Sequence, residues 1–428
     1  MMRSIAERAA LLGIYLAPNP EEEIRIGSLV RDASGTVTFS VDDNYLAMGA
    51  SRPVLSVAWQ GASEEDTRRR LMRREDKSAQ HGYIPPYFSG LLPEGALREL
   101  VETEFGTGAF DDFDVLARLG GDLPGAVLAR LEAGQAGATA MEREVLPKRS
   151  PVPPGKVKFS LAGIQLKFGV LRSEHGITAP ARGEGGDIIL KVPSEQYPGL
   201  VEAEYASLEM ARAAGVRTAE AFLVAADDIE GIPAEFLQKG SRALAVRRFD
   251  RVDGRRIHTE DFAQILGAVG ERKYTMANEE TLYNMVRRFT ADWAGELLEA
   301  VRRTVVNILL GNGDAHLKNW SFIHRAEGGL ALTPAYDIVP TFLYGDSTLA
   351  LRFQGTKNPA RVTVHRFERT AGLVGGSPDA LVDEARRTVE TALDLWPKLM
   401  QDLPLPREMR ERVIARWDDL AIVEEARI

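Results

Sequence analysis

The chain reads as α+β. Strand-like segments dominate to about residue 249 and helical segments after it, and a Gly-, Ala- and Pro-rich seam at residues 132–155 divides the strand-rich part in two. A length of 428 residues allows two or three domains. Three segments follow: 1–150, a small β unit plus helices; 156–250, a sheet lobe; and 251–428, a helical lobe.

Composition narrows the function classes. Apolar residues at 44% and charged residues at 27% are ordinary for a soluble globular protein. A formal charge of −9 argues against an autonomous nucleic-acid binder, so such a chain would reach DNA only indirectly, through a partner. There is no cysteine, which excludes disulfides, thiolate metal sites and cysteine nucleophiles and suits a reducing, cytoplasmic setting. Six scattered histidines do not suggest a zinc cluster, and no apolar stretch of 18 residues suggests a membrane span.

In chain order, Leu11 to Leu16, Ile24 to Val30 and Thr36 to Val41 predict a small antiparallel unit with turns at Asn19-Pro20 and Ala33-Ser34-Gly35. Helices are expected from about Ala96 to Glu104 and Phe110 to Leu119, and a strand at Val127 to Leu131. Residues 156–171 form two strand-like arms around a small-residue turn, the kind of hairpin with which kinases cover nucleotide phosphates. A buried-looking strand at Asp187 to Pro193 carries one lysine, Lys191, suited to pairing with α- and β-phosphates. In the helix from Leu200 to Gly215, Val201, Tyr205, Leu208 and Ala211 share an apolar face flanked by Glu204, the candidate partner of Lys191.

Thr218 to Val224, Ala234 to Gln238 and Ala243 to Phe249 complete the expected sheet. Helices are then expected at Asp261 to Gly267, Glu279 to Arg288, Ala291 to Leu310, Thr363 to Leu373, Pro378 to Leu395 and Arg407 to Glu425, with Pro397 ending or kinking the fifth. Trp293, Trp320, Trp396 and Trp417 read as core anchors.

The helix from Ala291 delivers Gly311-Asn312-Gly313-Asp314-Ala315-His316-Leu317-Lys318-Asn319, which reads as a catalytic loop. Asp314 and Asn319 stand at the D-x-x-x-x-N separation by which kinases place a proton-accepting carboxylate near a metal-binding amide. Asp337, in Pro334-Ala335-Tyr336-Asp337, follows a short strand-like run and offers a second Mg²⁺ ligand. One amide oxygen, one carboxylate and nucleotide phosphates make a reasonable Mg²⁺ shell. Sheet lobe, hinge and helical lobe, with this loop, predict a two-lobed protein-kinase-like fold behind a small β-rich N-terminal subdomain.

These residues resemble a known family over nearly the whole chain: HipA, the kinase toxin of type II toxin–antitoxin pairs. Residues 158–171 resemble its S-x-A-G-x-Q-x-K phosphate loop, and residues 242–251 its R-x-L-A-V-E-R-F-D-R hinge. Residues 311–323 and 334–340 resemble its G-N-x-D-A-H-x-K-N-x-S and P-A-Y-D segments, and Phe88 to Pro93 and Gly121 to Gly125 are also similar. Arg247 stands where the family hinge commonly has Glu.

The resemblance implies an ATP- and Mg²⁺-dependent protein Ser/Thr kinase acting as a toxin, with targets in the translation machinery such as aminoacyl-tRNA synthetases. Asp314 would be the general base, Asn319 and Asp337 would hold Mg²⁺, and Lys191 would contact ATP phosphates. Ala162, Gly163 and Lys167 would lie along the phosphate loop, Arg247 and Phe249 would edge the adenine pocket, and His316 and Tyr336 would line the nucleotide cleft. Ser160 matches the serine that the family autophosphorylates. The implied partner is a HipB-like helix-turn-helix antitoxin that binds operator DNA. Two further readings stay open: a small-molecule phosphotransferase, since Gly313-Asp314 with Asn319 also resembles the loop of antibiotic kinases, and a weakly active scaffold serving its antitoxin as a transcriptional regulator.

Overall fold

The structure, a computed structural model, describes residues 10–19, 21–104, 111–132, 166–173, 176–178, 186–233, 236–237, 239–325 and 329–427. The chain forms two compact units, one of Met1–Leu166 with Asp253–His258 and one of Lys167–Val252 with Thr259–Ile428.

The first unit is built on an antiparallel sheet. Its strands are β1 (Ala10–Asn19), β2 (Glu22–Arg31), β3 (Val37–Val41), β4 (Ser78–Ala79) and β5 (Val127–Leu131), in the order β4-β3-β2-β1-β5. In β1 Leu12, Ile14 and Leu16 point to one face and are buried, the period-2 pattern of a half-buried strand. Helices α1 (Asp43–Ala47), α2 (Glu64–Met72), α3 (Pro86–Ser89), α4 (Gly95–Glu104) and α5 (Asp112–Leu119) complete it. Trp59 and Phe88 pack on Phe39 at ring-centroid distances of 5.7 and 4.9 Å. Helix α5 starts in a reciprocal capping box of Asp111 and Asp114, and both carboxylates also accept from the buried Arg31 guanidinium, at 2.8 and 2.9 Å.

The second unit opens with a six-stranded sheet of order β10-β7-β6-β8-β11-β9, made of β6 (Lys167–Ser173), β7 (Gly176–Thr178), β8 (Ile188–Lys191), β9 (Ala221–Ala225), β10 (Ile229–Glu230) and β11 (Arg242–Arg247). Helix α6 (Leu200–Ala213) buries its apolar face, and Glu204 lies within that face, fully buried, where the sequence pattern has it at the flank. The register places Lys191 opposite Lys167 on β6 and opposite Leu244 on β11, so the two lysines are direct cross-strand neighbours.

Short strands β12 (Arg251–Val252) and β13 (Arg255–Arg256) follow, the latter in the first unit, then β14 (Thr259–Asp261) and a mainly helical lobe. That lobe holds α7 (Phe262–Leu266), α8 (Glu279–Phe289), α9 (Trp293–Leu310), strands β15 (Ser321–Arg325) and β16 (Gly329–Leu332), and helices α10 (His365–Val374), α11 (Pro378–Asp402), α12 (Arg407–Arg416) and α13 (Ala421–Ala426). Sheet first and helices after is the α+β, two-lobed, kinase-like order read from the sequence.

Four local expectations need correction. Helix α11 continues past Pro397 to Asp402, because tertiary packing holds it: Trp396, just before the proline, is fully buried and donates its indole N–H to Met210 O at 2.7 Å. The expected last helix is broken by a 3₁₀ turn at Trp417–Asp419, where Trp417 turns into the core. Trp293 is 38% exposed, its ring covered on one side by the Arg287 guanidinium at 5.0 Å, so it is no core anchor. Phe236 and Leu237 lie in a turn closed by Phe236 N–H on Pro233 O at 3.0 Å, not in a strand. No described helix is long and apolar enough to cross a membrane.

Candidate active site

The site lies in the second unit and begins with the end of α9. Asp292 caps that helix by accepting from Gly295 N–H at 3.1 Å, and Val301, Val305, Ile308 and Leu309 are fully buried along it. Gly311 stops it in the left-handed region at φ 66°. A Cβ there would come within 2.6 Å of the Phe342 ring, so both the turn and the space require glycine.

The loop that follows is fixed by its own polar groups. Asn312 donates to Asn307 Oδ1 at 3.0 Å and accepts from Asp314 N–H at 3.0 Å, while Gly313 N–H donates to Thr341 Oγ1 at 2.7 Å. The Asp314 carbonyl accepts from His316 N–H and from the Asn319 side-chain amide, both at 2.7 Å. Because Asn319 spends its Nδ2 on that carbonyl, its Oδ1 is the end left for a cation.

Asp314 is buried, and burial pushes its carboxyl up to about 7, although the Tyr274 hydroxyl and Lys273 pull the other way. Tyr274 donates its hydroxyl to Asp314 Oδ1. His316 Nε2 stands 3.8 Å from the same oxygen, and its buried ring meets that of Tyr274 edge-on, with centroids 4.9 Å apart. His316 is thus placed in the buried wall behind the carboxylate.

Asp337 is reached through β15 and β16. Its backbone sits at φ 54°, a costly conformation for a residue with a Cβ, which persists only where surrounding contacts enforce it. Here Ala335 N–H donates to Arg217 O at 2.7 Å, and the Ala335 carbonyl accepts from Ala219 N–H at 2.9 Å. The Asp337 carboxylate takes Lys167 Nζ on one oxygen at 2.8 Å and Lys191 Nζ on the other. Burial works against its charge, but the two ammonium groups hold it well below the usual carboxylate range.

Lys191 Nζ also pairs with the fully buried Glu204. Burial disfavours the ammonium, yet Asp337 and Glu204 together hold Lys191 above its ordinary value. Glu204 is itself pushed up by burial, against the pull of Lys191. Sheet, helix α6 and the loop after β16 therefore meet at one ammonium group.

Asn319 and Asp337 line one small cavity, together with Asn307, Asn312, Arg303 and Tyr336. An amide oxygen and a carboxylate facing one space are the hard donors Mg²⁺ takes, and a carboxylate that attracts two ammonium groups is a place of high cation demand, so the residues fit that ion. Among the described residues no group of three or more Asp, Glu or His forms a metal cage, so the remaining ligands would be waters and phosphates.

The other expected positions fall as follows. Phe249 packs on the Tyr336 ring at 5.5 Å, and the Tyr336 hydroxyl donates to Lys318 O at 2.8 Å. Arg247 pairs with Glu220 at 2.8 Å. Ser160, Ala162 and Gly163 lie outside the described residues.

Two groups at the site carried no signal that sequence reasoning used. Lys273 and Tyr274 sit in an aperiodic polar stretch. Arg303 is buried on α9, donating to Glu299 at 2.9 Å and to Thr333 O, and its guanidinium lies 5.8 Å from the Trp320 ring. A pair of charges four apart on the buried side of an apolar helix was the available clue to it.

Comparison with known proteins agrees in both units. Residues 159–396 match the family model of the HipA-like C-terminal domain, and residues 21–130 that of the HipA N-terminal domain. The chain is 38% identical to "Putative kinase Y4dM" of Sinorhizobium fredii over 341 residues, covering 77% of this chain and 80% of the relative. It is 24% identical over 393 residues to "Serine/threonine-protein kinase toxin HipA" of Shewanella oneidensis, covering 82% and 87%. Among solved structures it matches a chain of the HipA, HipB and operator DNA complex of Shewanella oneidensis MR-1 with a TM-score of 0.72 at 21% identity, over 97% of this chain and 99% of that one. At that identity the likeness is one of fold.

Proposed function

This chain belongs to the HipA family, and from that premise we propose that it is a serine/threonine protein kinase, the toxin of a toxin–antitoxin module, that uses ATP with Mg²⁺. The observation that carries the reading is the convergence of Lys191, Glu204 and Asp337. A strand lysine paired with a helix glutamate, within reach of a metal-binding aspartate, is the arrangement kinases use to seat nucleotide phosphates.

In this reading Lys191 is held out by Glu204 toward the phosphates. Lys167 lies in register beside it and exchanges Asp337 for phosphate oxygens when nucleotide arrives. Asn319 and Asp337 would hold Mg²⁺, which would neutralise charge developing on the phosphates. The acceptor hydroxyl oxygen attacks the γ-phosphorus as the bond to the β-phosphate bridging oxygen breaks; ADP leaves, and the hydroxyl proton passes to Asp314. A base poised near neutrality suits that proton transfer.

The finer statements rest on family membership. The acceptor is a Ser or Thr of another protein, with aminoacyl-tRNA synthetases the first class to test, and Ser160 is the self-modification site. A HipB-like antitoxin is the partner and provides the link to DNA. Residues 1–150 form the N-terminal subdomain, 156–250 the nucleotide lobe and 251–428 the catalytic lobe, and the working compartment is the cytoplasm.

The test is incubation of the wild type and Asp314→Asn with ATP and Mg²⁺, followed by intact mass and phosphosite mapping. Phosphate on protein in the wild type alone is expected. Equal labelling of both would remove Asp314 from the mechanism.

A further inference from the structure

We propose that Tyr274 is a positioning residue for the phosphoryl transfer. Its hydroxyl holds the Asp314 carboxylate by Oδ1, so that Oδ2 is presented to the acceptor hydroxyl. The inference rests on the kinase reading of Asp314 given above.

The loop from Gly311 to Asn319 fixes the backbone of Asp314 from both sides, through Asn312 at its N–H and through His316 and Asn319 at its carbonyl. None of those bonds reaches the carboxylate. A side chain with two free torsions on a fixed backbone points its oxygens several ways, and a base that must meet a proton within hydrogen-bond reach loses rate in the wrong ones. Among the described residues, Tyr274 is the hydrogen-bond donor to this carboxylate, and it comes from 40 residues away in sequence.

Tyr274 is itself well anchored. It ends the 3₁₀ turn Gly270–Tyr274, which Thr275 N–H and Met276 N–H close on Arg272 O at 3.1 and 2.9 Å. The buried Lys273 places its ammonium 5.5 Å from the Tyr274 ring, and Lys357 donates to Tyr274 O at 3.5 Å. The edge-on contact with His316 fixes the ring plane, which aims the hydroxyl. The donor is thus held by contacts on its ring and its backbone that are independent of the carboxylate it orients, as a positioning group requires.

The experiment compares the full-length wild type, Tyr274→Phe, Tyr274→Ala and Asp314→Asn, measuring phosphate incorporated from ATP and Mg²⁺ into the protein itself and into casein, with mant-ATP binding in parallel. Tyr274→Phe keeps the ring contact with His316 and loses only the hydroxyl. Its kcat is expected to fall roughly 10- to 100-fold, with the KM for ATP and mant-ATP affinity within about twofold of wild type. Wild-type rates in Tyr274→Phe with loss only in Tyr274→Ala would reduce Tyr274 to packing and overturn the proposal while leaving the kinase reading intact. A rise in KM for ATP matching the fall in kcat would also overturn it, as would phosphate mapped to Tyr274 itself. If the wild type binds mant-ATP and labels nothing, the kinase reading falls and this inference with it.

Discussion

Replacing Lys191 with methionine tests the centre of the site by stability as well as activity. The side chains of Lys191 and Glu204 are 5% and 0% exposed, so neither charge is shielded by water. Without the ammonium, Asp337 keeps Lys167 at 2.8 Å, but Glu204 loses its one ion-pair partner among the described residues, and its Oε2 already takes no hydrogen bond there. Breaking a buried pair from one side costs about 3–5 kcal/mol, because the partner is left desolvated or must take up a proton. In a unit of this size that is a fall in Tm on the order of 10 °C. Lys191→Met with Glu204→Leu removes both charges and should recover most of the loss, since a buried pair and an apolar pair of similar volume differ little in stability. Phosphate transfer should stay abolished in both. Thermal unfolding of wild type, single and double variants, with labelling from ATP alongside, reads all of this. A single variant that melts with the wild type would refute the claim that the pair is desolvated, and a double variant less stable than the single would mean that Glu204 is held by something other than Lys191.

Two further outcomes follow from buried carboxyls. The rate of phosphate transfer should fall as pH drops through about 7, because Asp314 must be ionised to accept a proton, and Lys273→Met should move that acid limb upward by removing a nearby positive charge; a flat profile between pH 6 and 8 would exclude Asp314 as the base. Glu279, buried beneath Thr304 and beside Glu280, has a carboxyl raised to about 8, so the folded chain keeps a proton that the unfolded chain releases near the ordinary glutamate value of 4.5. Stability should therefore decline as pH rises from about 4.5 to 8, and Glu279→Gln should flatten that decline; urea midpoints across this range that match the wild type's would refute it.

What the sequence disclosed follows from how local each signal is. Strands β1 to β3 were legible as short apolar-rich runs, Leu11 to Leu16 first among them, bounded by the turns Asn19-Pro20 and Ala33-Ser34-Gly35, and β5 as the apolar run Val127 to Ala129 that follows Gly125. Helix α2 went unread because its 64–72 stretch is mostly charged, with only Thr67 and Leu71 buried to mark a face. Pro397 misled because propensity weighs a single residue, whereas the helix end is decided by Trp396 bonded to a carbonyl 186 residues away.

The site divides in the same way. Asp314 and Asn319 lie five residues apart on one loop, so their relation is local, and Asp337 follows a recognisable strand. Lys191 and Glu204 are thirteen residues apart across one strand–helix connection, near enough for periodicity to suggest which faces meet. Periodicity set Glu204 at the edge of the apolar face, since a buried carboxylate is improbable until its cation is known. Tyr274 had no such route, because its whole significance is a hydroxyl reaching a carboxylate 40 residues on, from a turn with no period of its own. Each residue that carries the chemistry sits in a short stretch with a signal of its own, whereas Tyr274, which aims one of them, comes from a turn without one and is brought to Asp314 by tertiary structure alone.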